Sequence, residues 1–261
     1  MDKKNSQIDE AITNGYYLEL GTAIEKAFEN YKKIALLSGL AYILIALAVA
    51  GIGFTLAVTL LGMNNITETL TDYNPLDFSG VELALYVIIM VLISGLTSPI
   101  NAGFLKIAHQ AENNKEFSIG TIFDYYKTIH FKELFIAASL LALINLGITF
   151  LFEYLGYTIA GNLFTYIIAF FTFLYSPLIV FGNQNGIDAL LKSFQLVIKQ
   201  PFIILLLIII SFIGVFIGLI GLCIGIFFTI PFWNSMLYTI YNTAIPTKES
   251  TEIEEIGNIQ E

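Results

Sequence analysis

The feature that most limits this chain is a set of long runs without Asp, Glu, Lys or Arg. Residues 35–62 give 28 such residues in a row, 83–105 give 23, 134–152 give 19, 154–187 give 34 and 200–247 give 48. About 20 apolar residues in helical form cross the hydrocarbon core of a bilayer, where every backbone polar group must be bonded within the segment. The runs therefore read as spanning helices, and the chain as an all-α polytopic transmembrane bundle. A mean hydropathy of +0.76 and a charged share of 13% agree, the latter being about half that of an ordinary soluble domain. The same scarcity of charge excludes a disordered chain and a nucleic-acid-binding surface.

Six spans are expected, at about 35–62, 83–105, 134–155, 163–182, 201–218 and 221–244. The last two share one run that as a single helix would reach about 72 Å, more than twice the hydrocarbon thickness. It must fold back, and Gly214, Gly218, Gly221 and Gly225 mark where. A polar N-terminus, 1–20, precedes the membrane domain 21–247, and an acidic tail, 248–261, follows it. The first apolar run begins too far from the start for a cleavable signal peptide, so the first span is expected to be retained. Cys223, the single cysteine, sits in an apolar run and reads as a small hydrophobe.

All twelve basic residues are lysines. Five lie before residue 34, four between spans two and three, two between spans four and five, and one, Lys248, in the tail. The segment 63–82 carries only acids, Glu68, Asp72, Asp77 and Glu82. By the positive-inside rule both termini are cytoplasmic, and the expected location is a bacterial inner (cytoplasmic) membrane.

Each pair of spans follows a similar segment: GTAIEKAFENYKKI at 21–34, GTIFDYYKTIHFKE at 120–133 and GIDALLKSFQLVIK at 186–199. Ala23, Lys26, Phe28 and Lys33 of the first align with Ala189, Lys192, Phe194 and Lys199 of the third. In the first, Ile24, Ala27, Phe28, Tyr31 and Ile34 fall at helical spacing, which predicts a short interfacial helix with lysines toward anionic headgroups. The even spans repeat a proline with a nearby asparagine: Pro99 with Asn101, Pro177 with Asn183, Pro231 with Asn234. The expected architecture is thus three hairpin units, each preceded by a cytoplasmic interfacial helix.

The unit GIDALLKSFQLVIKQP, the two glycine-rich spans after it and IPFWNSMLYTIYNT resemble a family of six-span bacterial membrane proteins of unknown function. They also resemble the membrane domain fused ahead of the catalytic domain in some bacterial glycerophosphodiester phosphodiesterases. The resemblance covers about 21–245 and implies a six-span fold. It implies no catalytic residue, because the hydrolytic part of the fused enzymes has no counterpart here.

Chemistry is sparse. His109 and His130 lie at the lysine-bearing edges of spans two and three, with Glu112, Glu116 and Glu133 scattered nearby; they read as interfacial residues, not as metal ligands. Ser38, Ser98, Ser176, Ser211 and Ser235 lie in or beside apolar runs and have no evident histidine base. Glu153, near the far end of span three, reads as an interface anchor. Asn101, Asn145, Asn183 and Asn234 are expected to bond freed carbonyls or neighbouring helices. No catalytic, cofactor-binding or metal site is expected. The reading is a non-enzymatic scaffold or assembly partner that touches membrane lipids and a membrane or cytoplasmic protein, without nucleic acid. The alternative is a small-solute or lipid transporter built from repeated helical hairpins. The residues specify no oligomeric state.

Overall fold

The computed structural model describes residues 3–61, 78–220 and 224–246. Residues 62–77, 221–223 and 247–261, among them the acidic segment 63–77, Gly221, Cys223 and the tail 248–261, lie outside the described residues. The helices in chain order are α1 (Lys3–Asn14), α2 (Leu20–Leu61), α3 (Gly80–Glu112), a 3-10 helix (Ile119–Lys127), α4 (His130–Tyr154), α5 (Thr158–Thr172), α6 (Tyr175–Val180), α7 (Gly186–Val197), α8 (Pro201–Ile220) and α9 (Gly225–Ala244). Five helical segments are long and apolar enough to cross a membrane: Leu20–Leu56, Gly80–Glu112, His130–Tyr154, Thr158–Val180 and Pro201–Leu219. The chain is a multi-pass helical membrane protein.

The spanning segments bury no more than 33% of their most apolar stretch against the rest of the protein. Their remaining surface is apolar. Leu36, Leu40, Leu44 and Leu47 of α2 and Phe202, Leu206, Ile209 and Phe216 of α8 all point outward, as side chains solvated by lipid do. Helix α9 has a different role. Its Asn234, Ser235, Thr239 and Asn242 make it too polar to stand among those five. It is instead enclosed, with Phe232, Met236, Tyr238, Ile240 and Tyr241 at most 8% exposed.

The α3–α4 and α8–α9 pairs run antiparallel. Across α3 and α4, Ser94 Oγ donates to the Ala138 carbonyl at 3.1 Å and Ser139 Oγ to that of Val91 at 3.4 Å. The α8–α9 pair closes at Gly218 and Gly225, where a Cβ on Gly218 would stand 2.7 Å from the Gly225 carbonyl oxygen. Only glycine allows backbones this near, the small-residue packing of membrane helices. Higher up the same seam Thr229 Oγ1 donates to the Val215 carbonyl at 2.8 Å.

The three similar segments take three conformations. The first is no separate interfacial helix; it is the start of α2, which continues unbroken for 42 residues, about 63 Å. The second forms the 3-10 helix and the first turn of α4. Only the third, α7, is a helix of its own. Pro201 explains the difference, because it disfavours helical backbone at Gln200 and lacks an N–H for the ladder. Nothing after Ile34 interrupts α2 in that way. The buried stripe of its first part also differs from expectation: Ala23, Ala27, Asn30, Ile34, Ser38 and Ala41 face inward, while Phe28 is 51% exposed.

These segments and α1 collect at one end of the bundle. Gly186 N–H at the start of α7 donates to Glu133 at 2.7 Å, and Asn185 caps the same helix through Asp188 N–H. Helix α1 docks beneath through Ile8, which is fully buried, and the Lys192–Asp9 ion pair at 2.9 Å, and in the link after it the Tyr16 hydroxyl donates to the Leu196 carbonyl at 3.0 Å. Burial pushes the Tyr16 hydroxyl well above its ordinary pKa.

Candidate functional site

The polar side chains of α9 form one stripe. Asn234, Ser235, Tyr238, Tyr241 and Asn242 recur at three- and four-residue spacing, the period of a helix face. Asn30 of α2 lies opposite, 1% exposed. Its Oδ1 accepts from Ser235 Oγ at 2.9 Å and its Nδ2 donates to the Ala108 carbonyl at 2.7 Å. One amide thus joins α2, α3 and α9. A turn away, Asn234 Nδ2 donates to the Tyr42 hydroxyl at 2.8 Å, and the Tyr42 ring stacks on Phe104 with centroids 4.0 Å apart.

Toward the lysine-bearing end, His109 Nδ1 and the Tyr238 hydroxyl are 3.1 Å apart, and the imidazole leans on Phe181 at 4.9 Å. Asn113 Nδ2 donates to the His109 carbonyl at 2.8 Å, while Lys33 Nζ donates to the Ala111 carbonyl at 3.1 Å and to Asn114 Oδ1 at 3.3 Å. The lysine charge sits beside the last turn of α3, on the Ala111 carbonyl, the negative end of that helix dipole. Two other lysines are also paired or stacked: Lys106 with Asp124 at 2.7 Å and Lys32 over the Phe28 ring at 5.4 Å.

A second polar junction holds the break between α5 and α6, which divides the Thr158–Val180 crossing at Phe173 and Leu174. Pro177 in the first turn of α6 cannot donate a backbone hydrogen bond. Ser193 of α7 repairs the break, accepting from Leu174 N–H at 3.1 Å and donating to the Phe171 carbonyl at 2.9 Å. Ser98 and the Tyr175 hydroxyl meet close by at 3.3 Å.

Of the residues singled out from sequence, His109, Ser235 and Asn234 enter the α9 network. Asn234 bonds a neighbouring helix and not a carbonyl loosened by Pro231. Asn183 acts through its backbone, with φ of 53° where α6 ends. Ser211 bonds its own helix at Leu207, and His130 packs its ring against Tyr125 at 5.9 Å. Ser38 Oγ and Ser176 Oγ are buried without a hydrogen-bond partner among the described residues. Among those residues no three His, Cys, Asp or Glu side chains gather in the manner of a metal site. Asn30, Tyr42 and Ser193 are the network residues that sequence reasoning missed. Asn30 was findable, since it falls on the Ala23, Ala27, Ile34 spacing; Ser193 was not, because its partners are backbone atoms of another helix.

Pro99, Pro177 and Pro231 are all buried. Two clefts stand out: one of about 250 Å³ at the end of the bundle, bounded by Gln7, Glu10, Asn14, Tyr16 and Ala244, and one of about 410 Å³ on the side, between α3, α4 and α5. Neither is lined by those prolines. Comparison with known protein families, with curated proteins and with solved structures finds no match to the chain.

Proposed function

We propose that this multi-pass membrane protein is a non-enzymatic scaffold or assembly partner of a bacterial cytoplasmic membrane, with α9 as a sixth crossing helix and both termini in the cytoplasm. Under this reading it belongs with the six-span family that its 186–201 and 230–243 segments resemble. One observation carries the proposal: within the polar stripe of α9, Ser235, Asn234 and Tyr238 are bonded to the bundle itself, through Asn30, Tyr42 and His109, while the buried Tyr241 hydroxyl bonds nothing among the described residues. A substrate path would keep such groups for a solute, whereas here they fix three helices in one register, as buried polar groups inside a membrane do when they serve packing. The broken α5–α6 span favours the transporter alternative, since broken helices recur at transport sites. Against it, the freed backbone groups of that break are already bonded to Ser193.

Flux and melting measured on the same variants test the proposal. In liposomes the purified protein should neither hydrolyse a phospholipid nor release a trapped solute. Asn30→Ala and Asn234→Ala should each lower the melting temperature in detergent, the first more because it leaves buried Ser235 Oγ without its acceptor and also removes the cross-helix bond to the Ala108 carbonyl. A measurable flux that Asn234→Ala abolished at unchanged melting temperature would replace the scaffold reading with the transporter one.

A further inference from the structure

We propose that a rail of four rings on the 3-10 helix and α4, Phe123, Tyr126, Phe131 and Phe135, is the binding track of one anionic phospholipid, its acyl chain laid along the rings and its phosphate held by Lys127 and Lys132. The rings follow one another at centroid distances of 6.3, 5.8 and 6.1 Å. Phe123 is 44% exposed, the other three are half-buried, and none is part of the buried core. Two glycines of α3 seat the rail. A Cβ on Gly103 would stand 2.1 Å from the Ile122 carbonyl oxygen, and one on Gly95 2.6 Å from the Phe135 ring, so the 3-10 helix and α4 lie directly against α3.

Depth and charge together select the occupant. The Tyr126 hydroxyl donates to the Leu96 carbonyl, two residues from the contact of Ser94 with Ala138, so the rail starts at the lysine-bearing edge and descends past the first turn of α4. Beside a spanning helix the solvent is acyl chain. At the head of the rail Lys127 and Lys132 are exposed and flank Ile129, itself 86% exposed. Neither lysine has a hydrogen bond or ion pair among the described residues. The two acids of 119–135 are engaged elsewhere, Asp124 with Lys106 at 2.7 Å and Glu133 with the Gly186 N–H at 2.7 Å. Lys4 of α1 lies within electrostatic reach of the His130 ring and adds to the positive charge. By contrast Lys26, also exposed, has Glu25 and Glu29 beside it on α2. Phe135 follows Lys132 by three residues and so lies one turn deeper on the same side; a headgroup at the lysine therefore sets its acyl chain over the rings. A zwitterionic phospholipid brings its own cation to the phosphate, whereas an anionic one leaves that charge to the lysines. A soluble acidic protein answers the lysines but not the rings that descend beside the spanning helices.

The experiment reads quenching of a single tryptophan by phospholipids brominated in their acyl chains. Full-length protein carrying Phe131→Trp, with the chain's own tryptophan removed by Trp233→Phe, is placed in phosphatidylcholine vesicles containing increasing brominated phosphatidylglycerol or brominated phosphatidylcholine. Phosphatidylglycerol should occupy the rail in preference to phosphatidylcholine by about fivefold, what one lysine beside an anionic headgroup contributes. Lys127→Gln together with Lys132→Gln should bring that ratio to about one. Both side chains are exposed and unpartnered, so the fold is kept and quenching by phosphatidylcholine persists. Lys26→Gln should leave the preference unchanged, and a tryptophan introduced by Leu151→Trp, at a side chain 56% exposed near the lysine-free end of α4, should show none. Equal quenching by the two lipids at position 131 overturns the proposal, as does a preference that survives the double substitution or falls equally with Lys26→Gln. Absence of quenching by either lipid overturns it too, because the rail then faces something other than acyl chains. So does loss of the preference on adding inorganic phosphate, which would make the lysine pair a site for a soluble phosphate. Should Phe131→Trp fail to fold, Ile129→Trp carries the same measurement with the same outcomes.

Discussion

Ser193 is a small side chain on which a whole helix break depends, because its one hydroxyl satisfies both the N–H of Leu174 and the carbonyl of Phe171. Ser193 and Leu174 are fully buried, so Ser193→Ala takes a partner from the Leu174 N–H and from the Phe171 carbonyl, a buried group left unpaired costing about 1–3 kcal/mol. The expected result is a loss of about 2–4 kcal/mol in detergent unfolding. Ser193→Cys should recover part of it, because a thiol is a weaker donor and acceptor. Equal stability of Ser193→Ala and wild type would show that the break is held by other means. Asn30 makes the complementary point. Its position on the Ala23, Ala27, Ile34 stripe was legible in the sequence, yet its partners, Ser235 and Ala108, lie 205 and 78 residues away. Periodicity tells which way a side chain faces and is silent about what it meets; that depends on how distant helices are placed.

Single residues also decide how elements are divided, as the three copies of the lysine-bearing segment show. Their similarity in sequence is real at Ala23 and Ala189, Lys26 and Lys192, Lys33 and Lys199, and still they become the start of a long helix, a 3-10 helix and a free-standing helix. Hydrophobic patterning sets helix existence, but continuity is set by the next residue that can break the ladder, and only the third copy runs into a proline. Apolar length made the spans legible; α9 was placed by its apolar run, while its enclosure was not, because a polar stripe inside a bundle reads in sequence like a weak span. At this scale two outcomes are expected. Spin labels placed singly along 22–33 should report an unbroken 3.6-residue pattern continuous with that of 34–45, and a loss of phase near residue 34 would mean that the first copy is a separate helix after all. Gly218→Val forces side-chain atoms into the Gly225 carbonyl and Thr229, so the α8–α9 hairpin should open. The measurable signs are faster proteolysis near residue 220 and a fall in melting temperature larger than that of Gly51→Val, whose surroundings are empty.

Charge placement governs the molecule as a whole. The lysines of the described residues all belong to α1, the start of α2, the end of α3, the segment up to the first turn of α4, and α7 with its C-terminal link. Contacts such as Lys192–Asp9, Glu133–Gly186 and Lys33–Asn114 gather these pieces at one end. The opposite end, at the α4–α5 turn around Gly156, carries no lysine. A retained cation at the wrong end would have to cross the bilayer during insertion, which is why lysines stay on the cytoplasmic side. The proposed orientation has Gly156 and its flanking tyrosines outside and Asn114 inside. On a Cys223→Ala background, a cysteine at Tyr157 should react with an impermeant thiol reagent in intact cells, while one at Asn114 should react only after permeabilisation. Cysteines at Asn74 and Lys248, in segments outside the described residues, should behave as Tyr157 and Asn114 do, respectively. The four sites test different things: Tyr157 and Asn114 fix which end faces out, and Lys248 tests whether α9 crosses. Labelling of Lys248 in intact cells, with Asn114 protected, would leave the orientation standing but reduce the chain to five crossings; labelling of Asn114 would invert the molecule and remove the electrostatic argument with it.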